Sequence, residues 1–526
     1  MSDGVRTARV VILGAGIAGL SAALALAPRP VLVVSPAPLG EGTGSAWAQG
    51  GVAAAMGAGD SPEAHAADTV RAGAGTVDAE IARQVTAAAP ARIAELTDLG
   101  VPFDRDGEGG YRLGLEAAHS AARIVRVMGD QAGGAIMARL IAAVRAAPSI
   151  QLVEGVRALR LHVVAGRVRG VWLARADGAP TRPVLLRCPA VLLAGGGAAG
   201  LFALTTNPPQ IRGEALGMAA RAGAVVADAE FVQFHPTAID TGGPVAALAT
   251  EALRGEGAVL RGADGHRFMP EIHPDAELAP RDVVARAVLA QIRAGNRPVL
   301  DTRDALGARL KDEFPAVHAA CLRAGIDPLR QPIPVAPAAH YHMGGVASCL
   351  SGQSSLPGLW VAGETAATGL HGANRLASNG LLEALVLGRA AAADLAAHAG
   401  PVGADFAPPV VLDWADDPTR RTTDADEAAL RQLMTDHVGV LRDAEGLRHA
   451  LAGIAALEAA CPGDERFLNM TAAATLIAAA ALLREESRGG HFRTDFPAPD
   501  PRLAHIRRLT LDQARSIRRQ SLKVPA

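Results

Sequence analysis

Histidines, arginines and glutamates gather in a few glycine- and proline-rich stretches of this chain. They are Gln233-Phe234-His235-Pro236-Thr237, Thr250-Glu251-Ala252-Leu253-Arg254-Gly255-Glu256-Gly257, Leu278-Ala279-Pro280-Arg281-Asp282, Ala338-Ala339-His340-Tyr341-His342-Met343-Gly344-Gly345 and Leu370-His371-Gly372-Ala373-Asn374-Arg375-Leu376-Ala377-Ser378-Asn379. A guanidinium fork matches a carboxylate bidentately, so these arginines and histidines, if brought together, would hold a small dicarboxylate. Taken singly, each arginine suits a surface ion pair and each histidine a satisfied place in the core. Pro236 disfavours helix at His235, and the other stretches read as loops. Spacing alone does not show that they converge.

The elements that must carry them begin near the N-terminus. Val10-Val11-Ile12-Leu13 is a short apolar, β-branched run, and it breaks into Gly14-Ala15-Gly16-Ile17-Ala18-Gly19 before an alanine-rich helix. The run reads as a buried parallel strand followed by a dinucleotide-binding turn. Gly14 allows the tight turn, Gly16 lets backbone approach a pyrophosphate, and Gly19 lets helix and strand pack closely. The helix start turns its unpaired N–H groups toward phosphate. A second strand, Val31-Leu32-Val33-Val34, should end in an acid that holds a ribose, but Ser35 and Pro36 stand there. That weakens a nicotinamide reading. Gly42-Thr43-Gly44-Ser45-Ala46-Trp47-Ala48-Gln49-Gly50-Gly51 is a small-residue loop against which a flat ring system could lie.

Further strand-like runs occur at 151–153, 157–171, 190–194 and 359–363. Strands interleaved with helical patterns imply an α/β domain with a parallel sheet covered by helices. The expected organisation is a Rossmann-like domain over residues 1–230, an insertion over 231–345, the rest of the first domain over 346–400, and a helical domain over 401–526. The last begins where Pro401, Pro408 and Pro409 cluster ahead of long Ala-, Leu-, Arg- and Glu-rich stretches.

Composition excludes several classes. A chain of 526 residues, 49% hydrophobic, can bury large cores, and a net charge of -2 gives no reason to invoke nucleic acid or an acidic membrane. Cys188, Cys321, Cys349 and Cys461 lack metal or disulfide spacing, so neither a metal site nor an iron–sulfur cluster is expected, and a reducing cytoplasm fits. Residues 10–27 imitate a signal peptide, but the glycines fall in a phosphate-binding pattern. Residues 467–483, interrupted by Asn469, Thr471 and Thr475, read as a buried bundle helix of a soluble protein.

Taken together these stretches resemble the L-aspartate oxidases, within the wider succinate dehydrogenase and fumarate reductase flavoprotein family. The resemblance runs nearly end to end. Its most specific pieces are Ala48-Gln49-Gly50-Gly51, the stretches around His235, Glu251, Arg281 and Arg375, and Arg484-Glu485-Glu486-Ser487-Arg488-Gly489-Gly490-His491-Phe492-Arg493-Thr494-Asp495-Phe496-Pro497. It implies FAD on the first domain, with an α+β capping domain closing over the flavin. Contacts to FAD would carry over to Gly14, Ala15, Gly16, Ile17, Ala18 and Gly19, to Ser35, to Ser45, Ala46, Trp47, Ala48, Gln49, Gly50 and Gly51, and to Glu214, Glu364, Gly380 and Leu381. The histidine through which the membrane-complex relatives attach FAD covalently falls on Gly44, which implies noncovalent FAD. Gly380 stands where serine is common, so contact there must come from backbone.

The same resemblance implies oxidation of L-aspartate to iminoaspartate. His235, His340 and Arg375 would hold carboxylates, Thr250 and Glu251 would complete the pocket, and Arg281 would be the proton-transfer residue. Arginine is almost always protonated, so Arg281 could equally be an electrostatic clamp. Glu116, in Leu115-Glu116-Ala117-Ala118-His119-Ser120, would meet the substrate's α-amino group, which succinate lacks. Oxygen or fumarate would reoxidise the flavin, and a quinolinate synthase would take the product toward NAD. A soluble fumarate reductase or succinate-oxidising flavoprotein is the alternative.

Overall fold

The computed structural model describes residues 4–177, 180–398, 407–417 and 424–523. The boundary expected at 400–401 lies outside them. Five parallel strands form the central sheet, in the order Leu359–Val361, Val191–Leu193, Val10–Leu13, Val31–Val34, Ile150–Val153. Val10–Leu13 and Val31–Val34 are buried along their whole length. Helices cover both faces of such a sheet, so every position must be apolar rather than every second one. The turn after Leu13 needs glycine twice. Gly14 has φ 113°, and a Cβ on it would collide with the Ala194 carbonyl. A Cβ on Gly19 would strike the Gly14 carbonyl as the helix Ile17–Leu26 crosses the strand.

The run at 157–171 departs from expectation. It splits into Val156–Val164 and Arg167–Arg175, an antiparallel hairpin that turns at Ala165 and Gly166 with φ of 48° and 71°. With Val5–Arg6 and Val184–Arg187 it makes a separate four-stranded sheet. Its polar and apolar residues alternate, which suits a half-exposed antiparallel strand and not a doubly covered parallel one.

Residues 239–335 close around a core of their own, built on Ile239, Leu253, Leu260, Val288, Leu300 and Phe314. Two long antiparallel strands, Val232–Ile239 and Ile333–His342, run out of that core toward the central sheet. The stretches read as loops at 250–257 and 278–282 instead open helices, Glu251–Gly255 behind Thr250 and Arg281–Arg293 behind Pro280. Each helix start brings its charged residue inward, and Glu251 and Arg281 are both buried.

Four helices, Asp424–Val438, Ala444–Ala460, Glu465–Leu483 and Leu511–Ser521, form the C-terminal part. Glu465–Leu483 is long and apolar enough to cross a membrane, but it is buried inside the protein. It packs on the helix Glu214–Arg221, where a Cβ on Gly217 would meet the Asn469 backbone. Its apolar residues join the same core as the central sheet.

Candidate active site

A cavity of about 930 Å³ runs from the glycine turn to the two long strands of the inserted region. Gly14, Ala15, Gly16, Ile17, Ala18 and Ser35 line one end, and Ser45 through Gly51 line one side. The stretch read as a loop contains a short helix, Gly44–Trp47, whose cap Thr43 accepts from the Ala46 N–H. Ser45 Oγ accepts from the Ile17 N–H at 3.1 Å, which ties this helix to the phosphate turn. Gly16 caps the helix Ile17–Leu26 without a side-chain hydrogen bond, so that helix end is open to an anion. Glu214, Glu364, Gly380 and Leu381 also face the cavity. Glu364 Oε1 accepts from the His342 N–H at 2.9 Å, and burial pushes its carboxyl up to about 7. Gly19 is absent from the lining. Its close approach to the Gly14 carbonyl gives it a packing role in the turn.

At the far end Glu116, His235, Thr250, Arg281, His340 and Arg375 converge on the cavity. The pairing of the two long strands slips between His235 and Ala238. Such an irregularity re-aims side chains. His235 Nδ1 accepts from the Thr237 N–H at 3.2 Å, so its neutral ring carries the proton on Nε2, which is buried and without a partner. His340 is the other tautomer. Its Nε2 accepts from Arg375 at 3.1 Å and its Nδ1 faces Thr206 Oγ1 at 2.8 Å. Burial, then the neighbouring arginines, holds both rings well below the ordinary imidazole pKa. Both are neutral rings in a cationic pocket: His235 has a free N–H to donate, while His340 has both nitrogens engaged.

Arg375 has no carboxylate within ion-pair distance among the described residues. Its guanidinium lies 4.5 Å over the Tyr341 ring, its Nε has no partner, and burial with Arg281 nearby lowers its pKa to about 10. Arg281 donates through Nε to Glu251 and through NH1 to Gln233 Oε1 at 2.9 Å. Glu251 does not line the cavity. It stands behind Arg281, where burial would raise its pKa but Arg281 and Arg254 hold it down. Glu251 thus orients an arginine that faces the cavity. Glu116 is buried, and burial followed by Glu251 raises its pKa. Its Oε2 accepts from Ser378 Oγ at 2.9 Å.

Sequence reasoning missed three residues here. Gln233 binds both arginine segments, donating to the Arg375 carbonyl at 2.9 Å and to Asn374 Oδ1 at 3.0 Å while accepting from Arg281. Tyr341 and Ser378 face the cavity beside His340 and Arg375. All three lay within the quoted stretches, next to residues that were singled out, but an amide or hydroxyl reveals its role only through its partners.

The far end thus presents two guanidinium groups, one free imidazole donor on His235, His340 supporting Arg375, and one carboxylate, a set able to hold two acid groups and one ammonium. The FAD binding domain model matches residues 9–381, and the fumarate reductase flavoprotein C-terminal model matches residues 465–518. L-aspartate oxidase from Caulobacter vibrioides is 57% identical over 93% of this chain and 94% of its own length. The one from Xylella fastidiosa is 47% identical over 93% and 92%. Among solved structures, an E. coli quinol fumarate reductase flavoprotein superposes with a TM-score of 0.83 at 26% identity, covering 94% of this chain and 92% of that one. On fold, site and likeness together, the chain belongs to the L-aspartate oxidase family of FAD-binding flavoproteins.

Proposed function

We propose that this protein oxidises L-aspartate to iminoaspartate with noncovalently held FAD. The observation that carries this is a buried carboxylate, Glu116, in a pocket otherwise built for carboxylates. Against succinate it would only repel; against an α-ammonium it is a charge-assisted acceptor. The residues present fit FAD. The open helix end at Gly16 suits its pyrophosphate, Glu364 and Glu214 suit its hydroxyls, and the backbone of 45–51 suits a flat ring. Gly44 offers no side chain for a covalent link. Bound FAD supplies the acceptor for a hydride from Cα.

The chain's own residues then divide the work. Arg375, His340 and His235 take the substrate carboxylates. Thr250 faces the same space. Glu116 receives the ammonium and accepts the proton that the amino group must lose as the C–N bond gains double-bond character. Arg281, ion-paired to Glu251, serves as a fixed cation and donor at the same end. Oxygen, giving peroxide, or fumarate, giving succinate, would be the terminal electron acceptor. A quinolinate synthase is the natural consumer, because an imine hydrolyses readily, and the step would start NAD biosynthesis. The four free thiols support a cytoplasmic setting.

The test is to release the flavin with acid and assay peroxide with L-aspartate, D-aspartate and succinate. Free FAD and turnover with L-aspartate alone are expected. Flavin bleached by succinate but not by aspartate would instead establish the succinate-oxidising reading.

A further inference from the structure

Glu116 is held from one side only. Among the described residues no basic side chain lies within ion-pair distance of it, and its hydrogen bond comes from the Ser378 hydroxyl. Ser378 is itself unusual. Its φ is 62°, a left-handed conformation that side chains other than Gly, Asn and Asp seldom adopt. Such a residue persists only where its surroundings over-determine it. Here they do. The Ser378 carbonyl accepts from the Ala53 N–H at 3.3 Å. On one side the Ala377 carbonyl meets His119 Nε2 at 3.0 Å. On the other, Asn379 is held by His65 at 2.8 Å and Thr69 at 3.0 Å. His119 and Glu116 belong to one short loop, so loop and strip are tied together twice. That loop is anchored in turn by Arg123, which is fully buried and ion-paired to Asp60 and Asp68. Gly50 completes the arrangement: a Cβ there would lie 3.2 Å from Ser378 Oγ and 3.4 Å from Glu116 Oε1.

We propose that Ser378 is a specificity-determining positioning residue: held in a left-handed conformation, its hydroxyl occupies Oε2 of Glu116 and leaves Oε1 for the substrate ammonium. This rests on the reading of Glu116 as the amine-recognition residue. A hydroxyl is the right donor for the task. It fixes the carboxylate without neutralising it, whereas a lysine or arginine would cancel the charge that attracts the ammonium. Succinate offers Glu116 no hydrogen-bond donor, so loss of the Ser378 hydroxyl removes no contact that succinate makes.

The experiment uses the FAD-loaded protein. Steady-state kinetics give KM and kcat for L-aspartate, and succinate affinity is read from the perturbation of the flavin absorbance spectrum. Ser378→Ala is expected to raise KM for L-aspartate about ten-fold and to leave succinate affinity within two-fold. Ser378→Gly removes the same hydroxyl and relieves the left-handed backbone, so it folds even if the alanine variant does not, and the same selective loss is expected. Glu116→Gln is measured in parallel. If it weakens aspartate selectively and neither Ser378 variant does, the positioning role is wrong while the reading of Glu116 stands. If Glu116→Gln changes aspartate and succinate alike, that reading fails and this inference with it. Equal weakening of both ligands by the Ser378 variants would show a general structural role and overturn the proposal.

Discussion

Arg375 at the cavity and Arg484, which binds the C-terminal segment to the rest of the molecule, are similarly buried, yet their surroundings are opposite. Arg484 is fully enclosed and saturated. It pairs with Glu230 and with Glu486 at 2.9 Å, donates to the carbonyls of Leu503 and His505, and lies 4.7 Å over Phe231. Burial lowers its pKa, but Glu230 and Glu486 outweigh that and raise it overall. Arg488 and Arg493 are served in the same way by Glu486 and Asp495. Arg375 has an aromatic face and a neutral imidazole in place of a carboxylate. A buried charge left without its counter-charge is costly. At Arg375 that cost falls where a substrate carboxylate would supply the missing partner. Arg442, equally buried and also without an ion pair among the described residues, is served instead by the carbonyls of Gly439 and Glu230 and by His491. Arg484 is saturated and holds the fold, while Arg375 is unsaturated and faces the space a ligand would fill.

The largest effect should come from Arg375→Leu. Loss of the unpaired cation should lower kcat/KM for L-aspartate by ~10³-fold or more, about 4 kcal/mol, with no loss of thermal stability, because the native state sheds an uncompensated charge. A lower Tm in this variant would break the contrast. Arg484→Ala should do the reverse. Glu230 would be left buried without its cation and Glu486 with Arg488 alone, at a cost of about 3–5 kcal/mol, visible as a marked fall in Tm, while KM of the folded fraction stays unchanged.

Acid should weaken both regions together. Burial holds His65, His119 and His342 at about 4, and holds His235, His340 and His491 well below the ordinary value. In the unfolded chain they bind protons below about 6.5, so between there and about 4 the unfolded state holds more protons than the native one. Stability is then fully present above 6.5 and is lost as pH falls, with a slope of up to about 1.4 kcal/mol per pH unit for each such histidine. Urea midpoints at a series of pH values measure it, and a flat profile from 7 to 5 would show that these rings charge without unfolding. The smallest effect belongs to Arg502→Ala. Its pair with Asp500 is a surface one, with Arg502 88% exposed, and surface pairs contribute little. No measurable change in Tm is expected.

Much of this molecule is written in local pattern. The run Val10-Val11-Ile12-Leu13 and the glycines after it determined a buried parallel strand, a turn and a helix start, because periodicity and the steric freedom of glycine act over a few residues. The apolar character of 467–483 likewise determined a buried helix. Residue types around 235, 281, 340 and 375 determined that carboxylates could be bound if those segments met. Their meeting was decided only by the tertiary structure. It took a slip in strand pairing at His235, two helix starts at Glu251 and Arg281 that the loop-like composition concealed, and Gln233 bridging two arginine segments. Tertiary structure also divided the glycines and acids by role, placing Gly19 in packing and Glu251 behind Arg281. The physical reason is range: turn sterics and side-chain period depend on neighbours in sequence, whereas burial and ion pairing depend on groups brought close from elsewhere in the chain, 30 residues apart for Glu251 and Arg281 and 262 for Glu116 and Ser378.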